Sequence, residues 1–575
     1  MRAGGSFLTD PLTGQSPLCR EDFTAEQREI HDTVKQFARE RILPRVAELS
    51  VLNWSLTREL MLEVAGMGLT GAELPEAYGG MGLDRVTSAL IAEALTAGQC
   101  ASFLVTFLAH TGIGTLPIAY FGSEHLKSKY LPKLVSVEML GAYALTEPQA
   151  GSDALAITMS ATPSEDGASF LLNGRKQFIS NAGWADLFTV FAKINGRDMA
   201  AFVVERSSPG FSVGPEEHKM GIQGSSTASL VLENCRVPRE NLLGEPGRGH
   251  EIAFNILNVG RFKLGAANLG GVKAVVNTAL AYALERKQFG SPIAYFDAIR
   301  WKLANTAALG FALDAVIYRT VGMMDERTAS LSDDNPGHGR KVMEALEEYA
   351  IEASICKVFG SEALSHASDE GIQIFGGYGF SEDYPLARVH RDNRVDRIFE
   401  GTNEINRMVI TGYLLRDALV EKLPVREAAK HWDLFPKDGG AENAWEFIAL
   451  ERLRGLILKY LEQAIILYGQ DLKNEGMVGE ALADLAIGYF AASSAFQRAG
   501  RTKRKEHILA ARIFLHRALE QTQARAAFLL PVLFSERERR KILDQTQSLI
   551  PSASPIEDVR RFTDLLYQKR GYFLD

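Results

Sequence analysis

Cysteine is scarce in this chain: four residues among 575, Cys19, Cys100, Cys235 and Cys356, all far apart. That excludes a disulfide framework and a short-spaced metal cluster, and a reducing compartment is the simplest reading. The eleven histidines form neither HExxH nor another compact ligand set, so no metal is expected. His110, in an apolar stretch, and His390, beside Arg391-Asp392, read as structural. No GxSxG elbow supports a Ser-His-Asp triad. Positive charge is not in excess: 63 basic against 71 acidic residues give a net charge of -8, so no global field draws the chain to nucleic acid. Long apolar runs are missing too. CASFLVTFLAH (100–110) and LAIGYFAASSAF (485–496) fall short of the roughly 20 residues that cross a bilayer. The start, MRAGGSFLTDPLTG, has one Arg and an early Asp and resembles neither a secretory signal nor a transit peptide, so a cytoplasmic location is expected.

What is present is the material of several packed cores, 46% hydrophobic and 23% charged residues. Thr24-Ala-Glu-Gln27 has capping-box spacing ahead of Ile30, Val34, Phe37 and Ile42, and helical patterns continue over 55–68, 84–98 and 101–137. From about residue 140 the period changes. DLFTVFAKI (186–194) meets MAAFVVER (199–206) across Asn195-Gly196, a hairpin signal. Helical spacing returns over 251–285, 294–325, 341–369 and 403–418. FPKDGG (435–440) marks a linker, after which Leu450, Leu453, Ile457, Leu461, Ala464 and Tyr468 make one apolar face. The fold class is therefore α+β: an N-terminal helical domain (1–140), a middle antiparallel β domain (141–250), a helical domain (251–420) and an additional C-terminal helical domain (421–575).

Four segments could carry chemistry. Gly376-Gly377-Tyr378-Gly379 lets backbone approach a phosphate, but it lacks the P-loop ending and the Rossmann spacing. Thr146-Glu147-Pro148-Gln149-Ala150-Gly151-Ser152-Asp153 packs hydroxyls, carboxylates and glycine into one loop. Arg286 and Lys287 follow a helix, where Arg can grip a phosphate with its fork of donors. Glu400, in Ile398-Phe399-Glu400-Gly401-Thr402, could be held in a dry pocket with a raised pKa. Taken singly, each is as well or better served by a structural turn, a solvated helix end or a surface residue.

Together they are specific. YALTEPQAGSDA (143–154), NGRKQFISNAGWADLFTVFAK (173–193), ERKQFG (285–290), QIFGGYGFSEDYPLARVHRD and RIFEGTNEINR (373–407) resemble, in order and spacing over residues 20–415, the acyl-CoA dehydrogenase family. AFNILNVGRFKLGAA (253–267) and the C-terminal extension are most similar to its very-long-chain branch. The resemblance implies FAD between the β and helical domains. Leu145, Thr146, Phe178 and Ser180 match flavin-side positions, although many relatives carry Trp where this chain has Phe178. Arg286, Phe289, Gln373, Gly376 and Gly377 match contacts to the cofactor of a partner subunit, which makes a homodimer part of the site. Thr402 and Glu404 match further cofactor positions.

Glu400 matches the catalytic base of the medium- and very-long-chain branches. Where other branches place a base on the helix that holds Arg261, this chain has Gly260-Arg261, with no competing carboxylate. Asn258, Arg261, Gly401 and Ser152 match acyl-CoA-side positions. The implied reaction removes an α proton through Glu400 and a β hydride through FAD, giving a trans-2-enoyl-CoA in fatty-acid β-oxidation, with electrons passed to an electron-transfer flavoprotein. Val105 and Ala109 match the floor of the acyl cavity, where small apolar side chains favour a long chain. An acyl-CoA oxidase and a respiratory-assembly or scaffold protein that keeps the fold are the rival readings. In the extension, Arg498, Arg501, Lys503, Arg504, Lys505, Arg512 and Arg517 with Ile508, Leu509, Ile513, Phe514 and Leu515 suit either peripheral contact with an anionic membrane or a helix packed on the bundle.

Overall fold

Thr24 opens the first helix through a reciprocal cap. Its hydroxyl accepts from Gln27 N at 3.1 Å, and the Gln27 side chain accepts from Thr24 N at 3.0 Å. The computed structural model describes residues 3–13, 16–331, 338–430, 444–547 and 554–575; the linker expected at 435–440 lies outside them. Helices Ala25–Phe37, Trp54–Gly66, Arg85–Leu95, Ala101–Leu108 and Glu124–Val135 build the N-terminal domain. Asn53, Asp84 and Ser123 cap three of them by accepting from the third residue on.

The β domain holds β1 (Gly141–Ala144), β2 (Ser160–Pro163), β3 (Ser169–Ser180), β4 (Leu187–Ile194), β5 (Asp198–Glu205), β6 (Phe211–Glu216), β7 (Thr227–Pro238) and β8 (Leu242–Leu243). Its main path is β6-β7-β3-β2-β4-β5-β8. The β4–β5 turn falls where the sequence puts it, with φ of 52° at Asn195 and 74° at Gly196. The sheet is not wholly antiparallel, and this corrects the expectation: β1 and β2 both run parallel to β4. Parallel neighbours need a long crossover, and the chain between β1 and β4 is long enough to supply one. Turn signals report only sequential hairpins. His110 fastens the start of β1: Gly141 N donates to its Nδ1 at 3.0 Å, so Nε2 carries the proton and donates to Leu134 O at 2.9 Å. Burial holds this neutral imidazole down, at about 4.

Behind the sheet stand helices Gly249–Glu285, Asp297–Thr328, His338–Glu347, Ala350–Phe375 and Asn403–Leu419. The extension adds Ala444–Tyr468, Gly476–Thr502, Lys505–Leu533, Glu536–Gln547 and Ile556–Lys569. The expected stripe of Leu450, Leu453, Ile457, Leu461 and Ala464 is fully buried, and the extension shares one continuous apolar core with the preceding bundle. Two helical runs, 101–121 and Asp297–Thr328, are after all long and apolar enough to cross a membrane; both are mostly buried inside the fold. The length estimate missed them because it counted unbroken apolar residues, whereas buried helices in a large core tolerate scattered polar ones.

The basic segment of the extension is partly internal. Arg498 is 1% exposed and bonds Asp314 at 2.9 Å, Glu21 at 2.9 Å and Leu574 O at 2.8 Å. Arg501 pairs with Asp22, Arg504 with Glu506 and Arg512 with Glu446, while Leu509, Ile513, Phe514 and Leu515 are buried. The segment is thus a helix packed on the bundle, with Lys503 and Lys505 left on its exposed face. Arg498 belongs to a buried cluster in which Arg20 and Lys273 also meet Glu93, Asp314 and Asp575.

Candidate active site

Between the turn Arg394–Arg397 and helix Asn403–Leu419 the chain makes a sharp reversal, with φ of 58° at Glu400 and 79° at Gly401. A positive φ at a glutamate is strained, and strain of this kind persists only where neighbours over-determine it. Asn406 does so. Its fully buried amide nitrogen donates to the carbonyls of Glu400 (3.3 Å), Gly401 (2.8 Å) and Thr402 (3.0 Å). The Thr402 hydroxyl caps the helix by accepting from Ile405 N at 3.2 Å, and Glu404 is exposed in its first turn. Asn406 was not singled out in the sequence; the signal was an Asn in the helix that follows a Glu-Gly pair.

The Glu400 carboxylate lies over helix Gly249–Glu285, above Gly260. A Cβ at Gly260 would sit 2.6 Å from its Oε2 and 2.8 Å from its Cδ. Oε2 is buried with no hydrogen-bond partner, and burial raises the group to about 7 against the opposing pull of Arg261 and Lys357. Among the described residues nothing accepts the Glu400 N–H. Arg261 is buried, directed by Asn258 Oδ1 at 2.8 Å, with its Nε 3.4 Å from Glu400 O. Asn258 therefore orients Arg261. Tyr143, whose hydroxyl donates to Ala253 O at 3.2 Å, completes this wall; burial and the Glu400 charge push it well above the usual phenol range.

One helical turn beyond Gly260, Leu264 lines a largely apolar cavity together with Leu104, Val105, Leu108 and Val275, with Asn268 and Asp396 on its polar side. Val105 faces it. Ala109 does not line it: it begins the π-helical turn Ala109–Gly114, buried against Gly114.

The 145–158 loop is built around Glu147, which the sequence reading passed over. Its carboxylate accepts from Lys176 Nζ (2.8 Å), Thr158 N (2.6 Å) and Met159 N (3.0 Å), and Lys176 also donates to Leu145 O (2.9 Å). This buried pair pins the loop to β3, so Leu145 is buried, Thr146 half-buried and Ser152 exposed. Phe178 sits at a register shift in β3 with φ of 56° and is 63% exposed; Ser180 ends the strand, paired with Thr227.

Arg286, Phe289, Gln373, Gly376 and Gly377 gather elsewhere. Residues 287–292 form a tight hairpin whose two-residue turn, Phe289-Gly290, has φ of 51° and 82° and presents a Phe that is 95% exposed. The exposed Arg286 guanidinium has no ion-pair partner among the described residues and lies 5.6 Å from the Tyr378 ring. Gly376 has φ of 61° and ψ of -137°, a conformation reserved for glycine, and a Cβ on Gly376 or Gly377 would meet open space. The carbonyl of Gln373 closes the preceding helix by accepting from Gly376 N. Open glycine backbone, an unpaired Arg and the aromatic side chains of Tyr282, Phe375 and Tyr378 fit a dinucleotide diphosphate and its ring system. This cradle shares no lining residue with the cavity near Glu400.

Family models for the N-terminal, middle and C-terminal domains of acyl-CoA dehydrogenases match residues 24–138, 142–235 and 247–415. The chain is similar to a probable acyl-CoA dehydrogenase of Bacillus subtilis (strain 168), 40% identical over 92% of this chain and 90% of that one. It is also similar to the very long-chain specific mitochondrial enzyme of Bos taurus, 35% identical over 88% of this chain and 78% of that one. Its structure overlays the crystal structure of an acyl-CoA dehydrogenase complexed with FAD from Bacillus anthracis with a TM-score of 0.96, 40% identity and full coverage of both chains. Fold and site are those of an FAD-dependent oxidoreductase. The chain belongs to the acyl-CoA dehydrogenase family.

Proposed function

We propose that this protein is a homodimeric long-chain acyl-CoA dehydrogenase that passes its electrons to an electron-transfer flavoprotein. The observation that carries the reading is Glu400: a buried carboxylate with an unpartnered Oε2, raised to about 7, resting on Gly260 one helical turn from Leu264 in the cavity wall. A base of this kind needs a pKa close to the working pH, and burial supplies it. Its Oε2 takes the α proton of the bound thioester. The Glu400 N–H, without an acceptor among the described residues, hydrogen-bonds the thioester carbonyl and stabilises charge that develops there as the proton leaves. Leu145, Thr146, Phe178 and Ser180 would hold the flavin ring of FAD, and Arg286, Gly376 and Gly377 of the partner its diphosphate. FAD, when bound, supplies the acceptor for the β hydride.

The dimer is supported by the exposed Phe289 turn and the unpaired Arg286, both remote from the Glu400 pocket on the same chain. Long chains are supported by Val105, Leu108 and Leu264 lining the cavity. The test is anaerobic flavin bleaching with acyl-CoAs of four to twenty carbons, in the wild type and in Glu400→Gln. We expect the longer chains to bleach fastest and the variant to lose at least about 100-fold while keeping FAD. Near-normal bleaching by the variant would end the assignment, and rapid peroxide formation in air would favour an oxidase.

A further inference from the structure

One wall of the acyl cavity is polar, which an enzyme for plain hydrocarbon chains does not need. Leu104, Leu108 and Leu264 face Asp392, Asn393, Asp396 and Asn268. Two of these polar groups are used by the scaffold. Asp392 accepts from Ile222 N at 2.6 Å, and Asn393 donates to Ser368 Oγ at 2.9 Å and Val389 O at 2.7 Å.

Asp392 keeps its second oxygen free as well, but its first is taken by backbone, whereas Asp396 is held by a side chain alone. With its nitrogen turned toward Asp396, the Asn268 amide donates to Oδ2 at 2.7 Å while its oxygen accepts from Ser361 N at 3.2 Å. The opposite orientation would set oxygen against oxygen. No other donor among the described residues reaches Asp396. Lys357, the nearest cation to act on it, spends its Nζ on Asn403 Oδ1 at 2.6 Å. One carboxyl oxygen of Asp396 therefore remains unbonded in the wall of a cavity that Leu104, Leu108 and Leu264 also line. Burial holds the group up, at about 8, so near neutral pH it keeps its proton and can both donate and accept.

A methylene laid against such a group leaves it unsatisfied, whereas a hydroxyl completes it. We propose that the acyl group this protein prefers carries a hydroxyl beyond the two carbons that react, and that Asp396, held by Asn268, selects for it. This rests on the dehydrogenase reading and narrows its substrate to hydroxylated acyl chains.

The experiment is anaerobic flavin bleaching by the FAD-loaded enzyme. It compares a plain sixteen-carbon acyl-CoA with a series of the same length bearing one hydroxyl at successive carbons from the fifth onward. We expect a narrow band of positions at which the bleaching rate at limiting acyl-CoA exceeds that of the plain chain by about tenfold or more. Asp396→Leu should abolish that preference and speed the plain chain, and Asp396→Asn should keep part of it, with melting and FAD content confirming that the variants fold. The wild-type series alone is decisive if the variants do not fold. The proposal is overturned if the plain chain bleaches the flavin and no hydroxylated chain exceeds it, or if a folded Asp396→Leu keeps the preference. If neither class bleaches the flavin, the dehydrogenase reading fails along with it.

Discussion

Replacing Gly260 by alanine should disable the base without harming the fold. The new Cβ would stand 2.6, 2.8 and 2.9 Å from Oε2, Cδ and Oε1 of Glu400, against an ordinary contact near 3.4 Å. The carboxylate would have to retreat by roughly 0.8 Å, and misplacement on the order of 1 Å can cost about 100-fold in rate. What the methyl meets is the free end of a side chain, so the backbone of helix Gly249–Glu285 can stay where it is. Alanine in a helix interior is favoured over glycine by about 1 kcal/mol, so the melting temperature should hold or rise. We therefore expect single-turnover bleaching at saturating acyl-CoA to fall by roughly 10- to 100-fold, with FAD content unchanged. The methyl also adds apolar surface against the carboxylate, so the rising limb of the pH–rate profile, expected near 7 in the wild type, should move to higher pH. Bleaching within a few-fold of wild type on an unshifted pH profile would refute the placement of Glu400 above Gly260.

Arg286→Ala removes a charged fork from the dinucleotide cradle and should weaken FAD retention by roughly 10- to 100-fold; equal flavin content after gel filtration at matched concentration would remove Arg286 from that role. Arg498→Ala removes charged hydrogen bonds to Asp314, which keeps Arg20 and Lys273, and to half-buried Glu21, and should cost about 1.5–3 kcal/mol in denaturant unfolding. A stability change within the scatter of surface variants would contradict it. Glu352, which accepts from Gly5 N at 2.8 Å and has a buried, unpartnered Oε2, is raised by burial to about 7. The folded state holds this proton more tightly than the unfolded chain does. Stability from this group is therefore complete below about 4.5 and lost as pH rises through about 7, by up to roughly 3 kcal/mol. Glu352→Gln should flatten that decline between pH 5 and 8, and identical slopes in both proteins would count against it.

Much of this was legible before any coordinate. Apolar residues spaced three and four apart lie on one face of a helix, and Asn195-Gly196 is chemistry for a hairpin turn, so the order of helices, strands and helices followed from local rules. The family motifs located Glu400, Arg286 and the glycine cradle because each motif is contiguous. Contacts between distant segments were not legible. Glu400 rests on Gly260, Arg498 reaches Glu21 and Asp314, and β1 lies parallel to β4, yet none of these pairs is adjacent in sequence.

The same division separates composition from role. The composition of the basic, apolar stretch around Arg501 does not say which of its side chains are internal, and only the structure showed Arg501 on Asp22, Arg512 on Glu446 and Ile513 and Phe514 in the core. Asp396 is one acidic residue among 71 until the cavity beside it appears. By itself, then, the sequence determined most elements, their order, the family and Glu400 as the candidate base, because those depend on neighbours along the chain. The tertiary structure alone decided how that base is desolvated, which charges are already spent and which wall of the cavity is polar, because burial and electrostatics depend on neighbours in space.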